Sequence, residues 1–328
     1  MKISLCIMGC GDYAKAVLSE ISDMTDLFDF YFASRDHAKA MSYCEQFNGS
    51  GYYGSYEEAA TDPNIDAMYF FTPHHLHLDN AVLAANSHKH ILMEKPVARD
   101  VQEAKELIKV AKDGNVKLMV AENYRFLPAI ERSKAMIDAG EIGVLRQIQM
   151  DAESFGASSE WRTDAKLTGG GVFIDGGIHY VDALMTLGGY PESVFAIKPP
   201  QVHHQTQGED GIAIMARLPG GVIGLLNFSR ATPLREARHE IRVTGSEATL
   251  TFHPMGDEIE FQTPTTSQTI QLPKNGRGVR PMVEEFHSSI TEDRVPRLSG
   301  EEALKALTIV LAAYKSADEC RKVRVDPI

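Results

Sequence analysis

Several features are scarce in this chain of 328 residues, and each scarcity removes a class of protein. No apolar run approaches the roughly 20 residues that a membrane-crossing helix needs, so a membrane partner is not expected. Only a handful of apolar residues stand between Met1-Lys2 and Gly9, too few for the core of a secretory signal; a buried first strand accounts for the same letters. Cysteine is sparse: Cys6, Cys10, Cys44 and Cys320 form no C-x-x-C pair and no metal-type spacing, which fits reduced thiols in a cytoplasmic protein. Low-complexity tracts are missing, and so are long blocks of like charge, although 45 acidic against 33 basic residues leave a net charge of −12. Nucleic acid rewards a clustered basic face and is therefore a poor partner. What remains is an ordinary globular composition, 43% hydrophobic and 24% charged, sufficient for a normal core. The length exceeds the roughly 250–300 residues that one core fills, so two domains are expected, 1–122 and 123–328.

Up to about residue 122, apolar runs alternate with amphipathic stretches. Residues 2–8, 28–33, 67–71, 90–93 and 117–121 read as buried strands, with 52–53 a weaker one. The helical stretches between them are 13–21, 37–47, 56–60, 76–85 and 101–112. This alternation implies a parallel sheet covered on both faces, which binds ligands at the carboxyl ends of its strands. Four strand ends carry chemistry. Gly9-Cys10-Gly11-Asp12-Tyr13-Ala14 is a G-x-G-x-x-A turn between strand and helix, suited to a dinucleotide pyrophosphate. Ser34-Arg35-Asp36 follows the second strand. Ser34 stands where an acid would hold the ribose of NAD and Arg35 suits a 2′-phosphate, so NADP is favoured over NAD. Thr72-Pro73-His74-His75-Leu76-His77 follows the fourth strand. Pro73 and the lack of acidic or Cys ligands nearby argue for a loop lining the nicotinamide side, with Thr72, Pro73 and His77 as cofactor residues, and no metal is expected. Glu94-Lys95-Pro96 ends the fifth strand. Burial and a positively charged nicotinamide both favour a neutral Lys95 amine able to accept a hydroxyl proton, with Glu94 orienting or opposing it.

From Asn123 the pattern changes. A helix reads over 129–139 and a strand over 145–152; a triple glycine, Gly169 to Gly171, precedes a helical period over 172–187. Asp175, His179 and Asp182 recur at i, i+4 and i+7, on one face, and the glycines are expected to let the backbone approach a ligand. Histidine exchanges a proton near neutrality and a carboxylate can orient it, so Asp175 and His179 are candidate catalytic residues. Antiparallel strands are expected over 211–218, 222–228, 239–244, 248–253, 258–262 and 268–272, then helices over 282–290 and 301–320. The fold class is thus an α/β Rossmann domain with a parallel sheet, followed by an α+β domain with an open, mostly antiparallel sheet. Such an exposed face would ordinarily be covered, for instance by a second subunit.

Taken in order, these motifs resemble the Gfo/Idh/MocA oxidoreductases, the glucose–fructose oxidoreductase and inositol dehydrogenase group. The resemblance also rests on Asn123-Tyr124-Arg125-Phe126 with Pro128, on Trp161-Arg162, and on Asp175-x-Gly177-x-His179. It implies an NAD(P)-dependent enzyme with an active site at the junction of its domains. It also implies a homo-oligomer, dimer or tetramer, built through the C-terminal sheet. By similarity Lys95 handles the substrate proton, its following proline is often cis, and Asp175 and His179 match the other catalytic positions. Tyr124, Arg125, Trp161 and Arg162 suit a polyhydroxylated, sugar-like substrate through stacking and donors. Three other readings use the same scaffold: a non-catalytic dinucleotide-binding regulator, a redox-assisted glycosidase, and a dihydrodiol or bilin reductase. Retention of Lys95, Asp175 and His179 argues against the first.

Overall fold

A computed structural model of the chain describes residues 1–274 and 276–327. The chain divides into two compact units, Met1–Glu122 with Val279–Leu304, and Asn123–Gly278 with Lys305–Ile328. The return of Val279–Leu304 to the first unit departs from the single division after residue 122 read from the sequence.

The first unit runs β1 (Ile3–Met8), α1 (Asp12–Ile21), β2 (Phe28–Ala33), α2 (His37–Gln46), β3 (Gly51–Tyr53), α3 (Tyr56–Thr61), β4 (Ala67–Phe70), α4 (His77–Asn86), β5 (His90–Met93), α5 (Val101–Asp113) and β6 (Leu118–Val120). Among the described residues these strands form one parallel sheet in the order β3-β2-β1-β4-β5-β6. Strand β4 is buried along its whole length and β1 nearly so, as a sheet flanked by helices requires. The helices present matching stripes: Ala14, Val17, Leu18 and Ile21 of α1, and Ala104, Leu107, Ile108 and Ala111 of α5, are buried at i, i+3, i+4 and i+7. Strand order reverses direction between β1 and β4, which opens a crevice at their carboxyl ends.

The second unit begins with α6 (Pro128–Asp138), β7 (Leu145–Glu153), α7 (Ala165–Thr168) and α8 (Ile178–Gly188). It continues through β8 (Ser193–Ile197), β9 (Gly211–Arg217), β10 (Ile223–Ser229), β11 (Arg238–Gly245), β12 (Thr249–Phe252), β13 (Glu258–Gln262) and β14 (Ser267–Gln271). Two helices follow, α9 (Val279–Thr291) and α10 (Gly300–Glu319), and then the short strand β15 (Val323–Arg324). The sheet order among the described residues is β14-β13-β12-β11-β7-β10-β9-β8-β15. Its pairs are antiparallel except β7 with β10, which is parallel. One face lies under α8: a Cβ on Gly224 of β10 would stand 3.2 Å from both Leu184 methyls. The other face of β8, β9 and β10 leaves Phe195, Ile197, Met215 and Ile223 exposed. A turn over Pro219–Gly221 joins β9 to β10, with Gly220 and Gly221 at φ 71° and 81°.

Helix α9 belongs to the first unit because it packs on α1, with the His287 ring edge-on to Phe28 at 5.4 Å. Beyond it, the Val120 N–H at the sheet edge donates to the Leu298 carbonyl at 2.8 Å. No helix among the described residues is long and apolar enough to cross a membrane.

Candidate active site

The two glycines of the β1–α1 turn do different work. Gly9 has φ 111°, and a Cβ there would stand 3.2 Å from the Phe71 carbonyl oxygen, so the fold itself requires glycine. Gly11 is conformationally ordinary, and nothing lies within 4 Å of where its Cβ would be. The chain therefore leaves open space in front of the N-terminus of α1, whose first N–H groups have no partner within the helix. This is the cradle a pyrophosphate needs, and the residues present fit a dinucleotide. Ala14 is fully buried, allowing α1 to pack closely, while Asp12 and Tyr13 are exposed in its first turn. The Cys10 thiol points inward, 3.9 Å from the Ala33 carbonyl oxygen, and burial pushes it up to about 12.

At the end of β2 the Asp36 carboxylate, not Ser34, caps α2, accepting from the N–H groups of Ala38 and Lys39 at 3.1 and 3.3 Å. Ser34 is buried and its hydroxyl accepts from the Asp36 N–H at 3.1 Å. Arg35 is left exposed beside them.

The loops after β4 and β5 are tied together by His77. Its ring is fully buried, with Nδ1 2.9 Å from the Pro96 carbonyl oxygen and Nε2 3.1 Å from that of Thr72. Burial lowers its pKa to about 3. His77 thus braces the two loops from beneath, a correction to its expected place against the cofactor. The Thr72 hydroxyl accepts from Asn80 Nδ2 at 2.6 Å, and the short helical turn His74–Leu76 follows Pro73. The Lys95–Pro96 peptide bond is cis, as the resemblance implied. Glu94 is buried, accepts from the Tyr69 hydroxyl at 2.9 Å, and is pushed up to about 7 by burial against the opposing pull of Lys95. Lys95 itself is half-buried at the carboxyl end of β5.

In the second unit, one turn of π-helix over Phe173–Gly177 precedes α8, so the plain helical period expected over 172–187 is interrupted. Asp175 lies on the π turn and His179 on the first turn of α8. The Tyr124 ring stacks on His179, with centroids 4.5 Å apart and planes 13° from parallel. Asp175 accepts from Arg162 Nε at 3.0 Å, and that guanidinium lies 4.4 Å over the Trp161 ring. Trp161, Arg162 and Asp175 therefore form one group, as Tyr124 and His179 form another. Arg125 does something else. Its Nε and one terminal nitrogen each donate to the buried Asp182 carboxylate at 2.8 Å, so its fork fixes the turn Asn123–Phe126 to α8 instead of meeting substrate.

The triple glycine also departs from expectation. A Cβ on Gly170 would stand 2.6 Å from the Tyr314 hydroxyl, and one on Gly171 would overlap the Glu209 backbone. These glycines admit the chain's own Tyr314 and Glu209, not a ligand. Both residues were missed, because nothing in a loop Glu or a Tyr near the chain's end announces a partner 36 or 143 residues away.

Two family models match the chain. An oxidoreductase family with an NAD-binding Rossmann fold covers residues 3–122, and a GFO/IDH/MocA C-terminal domain covers residues 130–251. Among curated relatives, trans-1,2-dihydrobenzene-1,2-diol dehydrogenase of Mus musculus is 32% identical over 62% of this chain, which spans 60% of that enzyme's length. D-xylose 1-dehydrogenase (NADP(+)) 2 of Haloferax volcanii is 28% identical over 90% of this chain and 91% of the relative. Among solved structures, a levoglucosan dehydrogenase in complex with NADH and levoglucosan superposes with a TM-score of 0.90 at 23% identity, over 100% of both chains, a likeness of fold.

Proposed function

The chain belongs to the Gfo/Idh/MocA family of oxidoreductases, whose first domain is an NAD-binding Rossmann fold, and from that premise we propose that it transfers a hydride between NADP and a secondary alcohol of a sugar, inositol or related polyol. One observation carries the reading. Lys95 follows β5 by two residues, at the carboxyl end of the same parallel sheet whose β1–α1 turn leaves open space at Gly11.

NADP, when bound, supplies the hydride acceptor, so that the alcohol carbon becomes a carbonyl. Gly9, Gly11 and the first N–H groups of α1, with Asp12 and Tyr13 beside them, hold the pyrophosphate. Ser34 and Arg35 take the ribose 2′-phosphate; Asp36 is already spent on its helix cap, which weakens the case for NAD. Thr72, Pro73 and Glu94 shape the nicotinamide side. Lys95 and His179, the latter with Asp175, are the two groups assigned to the substrate hydroxyl proton. Trp161 offers an aromatic face to the C–H side of a sugar ring and Arg162 donors to its hydroxyls, while the buried Tyr124 ring backs His179. We assign the protein to the cytoplasm on its four free thiols. Oligomerisation is assigned to the exposed sheet face bearing Ile197 and Met215.

The test is a screen for reduced-nicotinamide absorbance with aldoses, inositols and cyclic vicinal diols, each with NADP and with NAD. Turnover of at least one sugar or polyol is expected, with NADP preferred. Arg35→Ala should weaken NADP by about tenfold or more while sparing NAD, an effect of roughly 1.4 kcal/mol. Equal losses for both dinucleotides would reverse the cofactor assignment, and inertness toward every polyol would reverse the substrate class.

A further inference from the structure

The proposed chemistry leaves one cluster without a task. Four consecutive backbone N–H groups open the helical stretch that carries Asp175 and His179, and two distant residues accept all of them. The N–H groups of Gly171 and Ile174 donate to the Tyr314 hydroxyl oxygen at 3.3 and 3.0 Å. That of Phe173 donates to Glu209 Oε1 at 2.9 Å, and that of Val172 to the Glu209 main-chain carbonyl at 2.9 Å. Tyr314 in turn donates its O–H to the same Glu209 Oε1 at 2.9 Å. Helices are ordinarily opened by a Ser, Thr, Asp or Asn placed just before them; here Val172 occupies that position and makes no side-chain cap. Glycine at 170, 171 and 208 is what makes room, since a Cβ on Gly208 would overlap Gly171 itself.

The stretch anchored in this way is not a plain α-helix. Its first turn, Phe173–Gly177, is π-helical, and α8 continues from Ile178. A π turn closes its hydrogen bonds one residue later than an α turn. Relaxation to α geometry would rotate Asp175 by about 100° relative to His179, one residue's share of a 3.6-residue turn. Pinning the N–H groups on both sides of Phe173 opposes that relaxation. We propose that Glu209 and Tyr314 are positioning residues: they hold the π turn and so fix Asp175 against Arg162 and in phase with His179. The inference rests on the proton-transfer assignment of Asp175 and His179. Burial raises the Glu209 carboxyl above its ordinary range, opposed by the Phe173 N–H and the Tyr314 hydroxyl, as befits a group engaged inward.

A readout free of substrate is available. Trp161 is the single tryptophan, and the guanidinium over its ring is the one held by Asp175. Its accessibility therefore reports where Asp175 is. The full-length protein is compared with Tyr314→Phe, Glu209→Ala and Glu209→Gln for acrylamide quenching of Trp161, kcat, and dinucleotide dissociation constant, with circular dichroism to verify folding. Tyr314→Phe and Glu209→Ala should raise the quenching constant and lower kcat by about 10- to 100-fold, the scale of a small misplacement of reacting groups. The dissociation constant should stay within about twofold. Glu209→Gln keeps an oxygen for the Phe173 N–H and should recover most of the loss seen with Glu209→Ala. Folded variants with wild-type quenching and kcat would overturn the proposal, as would a loss expressed wholly in dinucleotide affinity. A wild-type protein inert toward polyols would sink the functional reading alone, and the quenching comparison would still decide this one.

Discussion

Glu94, just past β5, and His77, the first residue of α4, respond to acid in opposite senses. Burial raises the Glu94 carboxyl from 4.5 to about 7 and lowers the His77 imidazole from 6.5 to about 3. Between pH 4.5 and about 7 the folded protein holds a Glu94 proton that the unfolded chain has lost, so stability from this group falls as pH rises. Between pH about 3 and 6.5 the unfolded chain holds a His77 proton that the folded protein refuses, so stability from that group is lost as pH falls. The two slopes offset each other over the shared window. Glu94→Gln should unmask the histidine, giving a denaturation free energy that climbs by up to about 1.4 kcal/mol per pH unit from pH 4.5 to 6.5. A curve parallel to wild type would show that the burial argument is wrong for one of the pair. For the two proposed proton acceptors, Lys95→Ala and His179→Asn should each slow turnover by roughly 10²–10⁴-fold. The double variant should be little slower than the slower single, because groups acting on one proton do not add; fully additive losses would separate their roles. At this scale the sequence was legible where local structure is spelled by consecutive residues, as in the Gly9–Ala14 turn and the cis bond before Pro96. It misled where a side chain's target is remote. An Arg125 aimed at a sugar and one aimed at Asp182, 57 residues on, are the same letter.

The helix openings can be compared by their glycines. Gly11→Ala adds a methyl to empty space, so stability should stay within about 0.5 kcal/mol of wild type. Dinucleotide binding should nonetheless weaken by about tenfold or more as the phosphate cradle fills. Gly171→Ala drives a methyl into the Glu209 backbone and should cost roughly 1–3 kcal/mol or more of stability. Thermal melts and dinucleotide titration of both variants check the contrast, and a destabilised Gly11→Ala would deny that the space is open. Elements of the first unit were readable because strands buried on both faces form near-continuous apolar runs, as in Ala67–Phe70 and, broken only by Ser4, Ile3–Met8. Strands β8 and β15 escaped notice. The second is two residues long, too short to establish a period. The π turn was equally hidden, since its apolar residues satisfy an α period and its cause lies in Glu209 and Tyr314.

Over the whole molecule, the outer face of β8–β10 is the feature most at odds with an isolated subunit. Ile197 and Met215 are 58% and 56% exposed, with Phe195 and Ile223 also exposed beside them. Met215→Glu, facing solvent in one subunit but a partner in the proposed assembly, should leave each folded chain intact and reduce the mass in light scattering to that of a monomer. An unchanged mass would place the interface elsewhere. The alternation of buried and exposed residues that reveals this face was readable; the assignment of Val279–Leu304 to the first unit was not, because amphipathic helices do not name the surface they will cover. That assignment bears on how the protein is made. The edge of β6 meets Leu298 and Ser299, and α1 meets α9, in a stretch the ribosome delivers only after strands β7 to β14 of the other unit. During synthesis the nucleotide-binding half must wait, with one flank bare, while about 150 later residues emerge and settle.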